Sequence, residues 1–188
     1  MIELVAPQVI SENILYKKYG KVVVEKTFLL PNGERIEYLL WGGAIVPSII
    51  FPVVFGETGV HVLALRHFRY GANAFVVEVP GGCPKNDENF KQTARRELRE
   101  ETGYKAEKIV RLGGSEPIWF EPAACNTPYI PVLALGCMKV GEPKPTADEV
   151  AETLLIPFTE WKQMIRDGRV RDGKTIALTM LAILYFED

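Results

Sequence analysis

From Tyr38 to Gly56 the chain reads YLLWGGAIVPSIIFPVVFG, without one charged side chain. A run this apolar has to leave water, either in a membrane or in a protein core. Its length only just reaches a membrane span, and Gly42, Gly43, Pro47 and Pro52 interrupt it repeatedly. Its second half is rich in Val and Ile, and no Lys/Arg cluster flanks it. Two buried strands meeting at a Gly/Pro corner accommodate such a sequence, whereas a helix does not. The stretch therefore predicts two strands of a buried sheet, and no membrane partner.

The neighbouring segments supply the rest of that sheet. Residues 20–30 (GKVVVEKTFLL) read as a strand, Pro31-Asn32-Gly33 as a turn and residues 34–40 as the returning strand. A hairpin of this kind is not stable alone, so it must pack on the rest of the chain or on a second copy. Further strands are predicted at 44–55, 60–66 (VHVLALR) and 74–79 (AFVVEV). After the loop Pro80–Lys85 a helix fits, with Asn86 or Asp87 as N-cap, acids in its first turn and Gly103 as its stop. Strands recur at 107–113, 129–138 and 152–156, and residues 158–167 and 174–186 read as closing helices. Strand and helix do not alternate regularly, so the expected class is α/β (α+β), a sandwich built on a mixed sheet. The expected division is a small N-terminal antiparallel β-sheet over 1–43 and the main domain over 44–188.

Composition narrows the function. Of 188 residues, 47% are apolar and 24% charged, with 24 acids against 22 bases and a formal net charge of -2. Such a chain folds, and it has no excess of Lys and Arg with which to hold nucleic acid by bulk charge. Cys83, Cys125 and Cys137 form no CxxC pair, and His61 and His67 are the only histidines, so zinc-ligand spacing is absent. The N-terminus MIELVAPQVI lacks the basic stretch and cleavage site of a signal peptide. Scattered thiols and no leader fit a reducing, cytoplasmic setting.

The chemistry concentrates in Arg95-Arg96-Glu97-Leu98-Arg99-Glu100-Glu101. On a helix Glu97 and Glu101 lie roughly 40° apart, and Glu100 lies about 60° to the other side of Glu97. Three carboxylates thus share one face, bordered by Ala94 and Leu98. Such a run is often only a solvated face, and Arg96 to Glu100 is a supporting i, i+4 pair. Glu97 and Glu101, however, are a like-charged i, i+4 pair that weakens the helix, and a divalent cation would remove that cost.

The spacing around the run is more specific. Gly82, five residues, Glu88, seven residues, Arg96-Glu97-Leu98, one residue, Glu100-Glu101, one residue, then Gly103-Tyr104 resembles the Nudix box Gx5Ex7REUxEExGU. Only Tyr104 departs, where an aliphatic residue is usual. The seven fixed matches arise by chance at roughly one in a million for a chain of this length. The resemblance implies a Nudix-type α/β/α sandwich that binds Mg²⁺ (or Mn²⁺) and hydrolyses a diphosphate linked to another group. It implies Glu97, Glu100 and Glu101 as metal ligands, with Glu100 also close to the chemistry. Arg96 would fix the acid cluster, and Gly82, Glu88 and Gly103 would be structural.

The resemblance extends beyond the box. RHFRYGANAFVVEVPGG (66–82) is similar to the segment preceding the box in ADP-ribose and other nucleoside-diphosphate-sugar pyrophosphatases. In that subgroup a sheet like the one at 20–40 packs between two subunits, which implies a homodimer. By the same resemblance Arg69 and Glu78 contact substrate, Arg69 on a phosphate or on the adenosine part. Tyr38 stacks on the base or packs in a core, the Gly81 carbonyl meets a metal, and Glu121 reaches the distal sugar. Pro117 and Pro122 straddle the place where the ADP-ribose signature has a proline. In DEVAETLLIP (148–157), Glu149 matches the loop glutamate that serves as base or orients water, with Glu152 as the alternative.

The expectation is therefore Mg²⁺-dependent hydrolysis of a small nucleoside diphosphate sugar, ADP-ribose yielding AMP and ribose 5-phosphate. GDP-mannose or ADP-glucose is the alternative substrate, and a non-catalytic nucleotide-binding module is the alternative of another class. A nucleic-acid substrate would need a basic groove that the balanced charge does not suggest.

Overall fold

A computed structural model describes residues 4–43, 45–144 and 149–187. The chain divides into two compact units, Met1–Val46 with Trp119–Pro128, and Pro47–Ile118 with Tyr129–Asp188.

The smaller unit is an antiparallel sheet in the order β1 (Gln8–Lys18), β2 (Lys21–Leu29), β3 (Arg35–Gly43). Tyr19 and Gly20, with φ of 50° and 72°, make the two-residue turn between the first two strands. Positive φ at both positions matches the twist of a tight hairpin. Strand β1 escaped the sequence reading because it has no buried side to create a period, and all its residues are exposed. Residues 119–128 return to β3. The Trp41 N–H donates to the Ala124 carbonyl at 3.0 Å, and the Asn126 N–H to the Trp41 carbonyl at 2.9 Å. Thr127 Oγ1 accepts from the Gly43 N–H at 2.6 Å and donates to the Gly43 carbonyl at 2.8 Å.

The larger unit is built on a mixed sheet. Its strands are β4 (Ser48–Gly56), β5 (Gly59–Arg69), β6 (Ala74–Glu78), β7 (Gly81–Gly82), β9 (Lys108–Arg111), β10 (Ile130–Leu135) and β12 (Ala151–Pro157), with β8 (Tyr104–Lys105) and β11 (Met138–Lys139) pairing apart. The main order is β12-β5-β4-β10-β9, and only β4–β10 is parallel. Strands β4 and β5 pair from Val53 to Gly56, then diverge. In the fork, β6 takes the free edge of β5 and β7 takes that of β4. The turn between them, Val79-Pro80, therefore lies inside the sheet, where Ile50 donates its N–H to the Pro80 carbonyl at 2.8 Å.

Alternation along β4 explains the layers. Ile49, Phe51 and Val53 face a core with α2 (Phe158–Arg166) and α3 (Gly173–Glu187), which supply Trp161, Met164, Leu178 and Ala182. Ile50 faces the other side with Leu63 and Val132, where α1 (Phe90–Thr102) lays down Ala94 and Leu98. The unit is thus an α/β/α sandwich on a mixed sheet. The uncharged stretch resolves into the end of β3 and all of β4. Among the described residues no helix is long and apolar enough to cross a membrane.

The start of α1 differs from the expectation. Asn89, not Asn86 or Asp87, is the N-cap, and its side chain accepts from the Lys91 and Gln92 N–H groups while Gln92 returns a bond to the Asn89 N–H. The first turn holds no acid. The reason is Glu88, whose carboxylate is drawn back to the Lys85 N–H and to Arg96, so residues 85–88 form a turn instead of helix. Gly103 ends the helix as expected, in the left-handed region at φ 75°. A Cβ there would run into the Gly141 carbonyl, so no other residue fits without moving that loop.

Candidate active site

The site gathers at the fork of the larger unit. Helix α1 runs across the mouth of the fork, and its acids meet the glycine strand β7. Glu101 Oε2 accepts from the Gly81 N–H at 2.9 Å. A Cβ on Gly82 would sit inside the Glu97 carboxylate, and one on Gly81 would strike the Ser48 carbonyl at 2.5 Å. Both glycines are there for close approach: one to a carboxylate, the other to the neighbouring strand.

Arg96 organises the outer half. Its Nε donates to Glu88 Oε1 at 2.9 Å and Oε2 at 3.1 Å, and its Nη1 reaches Glu97 Oε1 at 2.8 Å and Glu100 Oε2 at 3.0 Å. Its Nη2 holds the Cys83 carbonyl at 2.8 Å, which fixes the loop above the helix. This fork geometry requires a guanidinium, since an ammonium cannot span so many acceptors. Lys85 adds a second cation, with Nζ 3.1 Å from Glu100 Oε2 and 3.3 Å from Oε1.

The four box glutamates differ electrically. Arg96, aided by the Lys85 N–H, holds Glu88 down to about 2. Against its own partial desolvation, Glu100 is held below the ordinary value by Lys85 and Arg96. Burial raises Glu97 despite Arg96. Burial pushes Glu101 up to about 8, with Glu97 and Glu149 adding repulsion and the Gly81 N–H and Arg69 offsetting only part. Two half-buried carboxylates, Glu97 with one guanidinium contact and Glu101 with only a backbone N–H among the described residues, are what a divalent cation would satisfy, so the residues present fit one. Among the described residues, no three Asp, Glu, His or Cys side chains are already gathered at ion-holding spacing. Glu100 is turned toward Lys85 and Arg96.

A second cluster lies beside the first. Glu78, at the end of β6, is buried, and Arg69, at the end of β5, grips it through Nε at 3.0 Å and Nη2 at 2.5 Å. His67 Nδ1 stands 3.3 Å from Glu78 Oε1, and burial together with Arg69 lowers its pKa. Arg69 thus commits its Nε–Nη2 edge to Glu78, and Glu101 and Asp172 add to its stabilising field. Asp172 caps α3 by accepting from the Thr175 N–H at 2.8 Å, and Thr175 Oγ1 accepts from the Val79 N–H at 3.0 Å. That bond ties the helix to the turn of the fork.

Glu149 precedes β12, next to Val150, whose carbonyl accepts from the Phe68 N–H at 2.9 Å. Its charge reaches both Glu101 and His67. Glu152 instead pairs with Arg66 at 2.7 Å on the exposed edge of the sheet. Tyr38 and Glu121 belong to the smaller unit. Tyr38 packs edge-to-face on Phe28 with ring centroids 6.0 Å apart, and Glu121 is exposed while its carbonyl accepts from the Ala124 and Cys125 N–H groups.

The sequence reading missed His67, Lys85 and Asp172. Lys85 falls at a free position of the box, and His67 was set aside only as a zinc ligand. The cap signal Asp172-x-x-Thr175 was readable, though its reach to Val79 was not.

Fold and site together define a class: a hydrolase that presents half-buried carboxylates at the mouth of a forked mixed sheet, suited to phosphoric anhydride bonds. A family model described as NUDIX domain matches residues 46–178, and the chain belongs to the Nudix family of hydrolases. It is 31% identical over 157 residues to CMP-5'-(N-acetyl-N-hydroxy-3-aminopropyl)phosphonate hydrolase of Streptomyces rubellomurinus, covering 82% of this chain and 71% of that protein. It is 32% identical over 139 residues to GDP-mannose pyrophosphatase of Yersinia pestis, covering 66% of this chain and 65%, just under two thirds, of that protein. A crystal structure of ADP compounds hydrolase superposes with a TM-score of 0.83 at 16% identity, over 100% of this chain and 97% of that one. This last likeness is one of fold.

Proposed function

We propose that the protein is a divalent-metal-dependent pyrophosphatase of nucleoside diphosphate sugars, acting as a cytoplasmic homodimer. The observation that supports this best is the apposition of Glu97 and Glu101 to the Gly81-Gly82 backbone, which leaves two desolvated carboxylates without full compensation. Glu97, Glu101, Glu100 and the Gly81 carbonyl would hold Mg²⁺ or Mn²⁺, which would neutralise phosphate charge and lower the pKa of the attacking water. Arg96 keeps the acids in place, and Glu88 keeps Arg96 in place. Glu149 takes or orients the proton of the attacking water, since its charge already reaches Glu101. Arg69 and Glu78 form a rigid pair beside the reacting phosphates, with an exposed guanidinium edge turned to substrate.

ADP-ribose, cleaved to AMP and ribose 5-phosphate, is the substrate the sequence favours. GDP-mannose is the second reading, supported by the Yersinia relative. Release of phosphomonoester from ADP-ribose, GDP-mannose, ADP-glucose, dinucleoside polyphosphates and nucleoside triphosphates with Mg²⁺ separates them. Turnover confined to the triphosphates would refute the sugar-nucleotide reading. The homodimer draws support from Val9, Ile14, Leu15 and Tyr16, apolar side chains exposed on β1. Light scattering showing a monomer at working concentration would remove it.

A further inference from the structure

We infer that Lys85 is a tethered cation that occupies Glu100 in the metal-free enzyme and must be displaced for a divalent cation to complete its ligand set. The inference rests on the metal-dependent reading above and concerns how this chain's own residues admit the ion.

The geometry separates what can move from what cannot. Lys85 is fixed at its backbone, where its N–H donates to Glu88 Oε2 at 3.0 Å and its carbonyl accepts from the Glu88 N–H at 3.2 Å. Glu88 is in turn clamped by Arg96. The root of the side chain is therefore anchored at the rim of the acid cluster, and only the stem and ammonium are free to swing. The ammonium spans both oxygens of Glu100, and its side chain is 61% exposed, so leaving for water costs little. Arg96, the other cation on Glu100, is 16% exposed and holds four further acceptors, so it stays.

Glu100 is also the one proposed ligand facing two cations. Glu101 accepts from the Gly81 N–H, and Glu97 is held by Arg96. The ammonium thus fills the coordination site that a divalent ion needs from this third carboxylate. It explains why no three acids among the described residues stand gathered. Competition between a monovalent tethered charge and a free dication should make the affinity for metal lower than the acids alone would give.

Direct Mn²⁺ titration, followed by the electron paramagnetic resonance of the free ion without nucleotide, tests this. Lys85→Gln should bind Mn²⁺ about three- to tenfold more tightly than wild type. Lys85→Arg should stay near wild type, because it restores the cation. Lys91→Gln removes the same charge from the start of α1, where Lys91 lies over the Phe90 ring, and should change the affinity by less than about 1.5-fold. An unchanged or weakened affinity in Lys85→Gln overturns the inference, as does an equal gain in Lys91→Gln, which would mean bulk charge alone. If no variant and no wild type binds Mn²⁺, the metal reading itself fails and takes the inference with it.

Discussion

Glu88 and Glu100 lean outward onto Arg96 and Lys85, whereas Glu97 and Glu101, on the same loop–helix unit, lean inward onto glycine backbone. The outward pair is held below the usual carboxylate range and the inward pair above it. One residue type thus serves two purposes, set by what stands within hydrogen-bond reach. Glu88 and Glu100 have more cation contact than their desolvation demands. Among the described residues Glu97 has one guanidinium contact and Glu101 only a backbone N–H, which leaves the inward pair under-compensated.

The strongest way to break this contrast is Glu101→Gln. It should lower kcat/KM on the best nucleotide sugar by about 10³-fold or more, since a metal ligand set is lost; near-normal turnover would remove the metal role. The same residue predicts a pH effect. The folded state holds its proton up to about 8, above the ordinary value of 4.5, so the folded chain binds more protons than the unfolded one between these pH values. Stability of the metal-free protein from this group is therefore full at low pH and lost as pH rises from about 5 to 8. Thermal melts should show that decline, and Mg²⁺ or Glu101→Gln should flatten it.

Next in size is the loop acid. Glu149→Gln should slow turnover by about 10²-fold, the usual contribution of a positioned base. Glu152→Gln should change it less than about twofold, because its exposed pair with Arg66 is a surface ion pair. A reversal of these two effects would reassign the base. Arg96→Lys probes the outward pair. Keeping the charge but losing the fork should cost about tenfold or more in kcat, through misplacement of Glu97 and Glu100. The smallest effect belongs to the cap: Asn89→Ala should lower stability by about 1 kcal/mol in urea unfolding and leave KM nearly unchanged.

Much of this was legible in the residues. Buried strands announced themselves through Val and Ile, and α2 and α3 through their apolar faces. The box spacing located Gly82 through Gly103. What escaped had no periodic signature. Strand β1 buries nothing within the chain, and β7, β8 and β11 are two residues each, too short for any pattern. The N-cap moved to Asn89 because a long-range bond from Arg96 to Glu88 overrode the local signals at Asn86 and Asp87. The ties among Arg69, His67, Glu78 and Asp172 join the ends of β5, β6 and α3, and only the fold brings those together. The sequence preferred Glu149 over Glu152 by resemblance alone, and the pairing of Glu152 with Arg66 across the sheet could not be read from it.

The parallel pair β4–β10 joins Ser48–Pro52 to Ile130–Ala134 across some eighty intervening residues. The acids and their glycine strand, by contrast, come from one short stretch between Arg69 and Glu101. The box acids and their glycines are therefore neighbours along the chain, while Glu149 and the floor beneath them, Ile50 and Val132, are brought in from afar. Closing that long loop is the entropically slow event, so helix and glycine turn can meet before the sheet that supports them is complete. On a growing chain the acid cluster would be spelled out early, its floor completed when β10 arrives, and Glu149 added only after that.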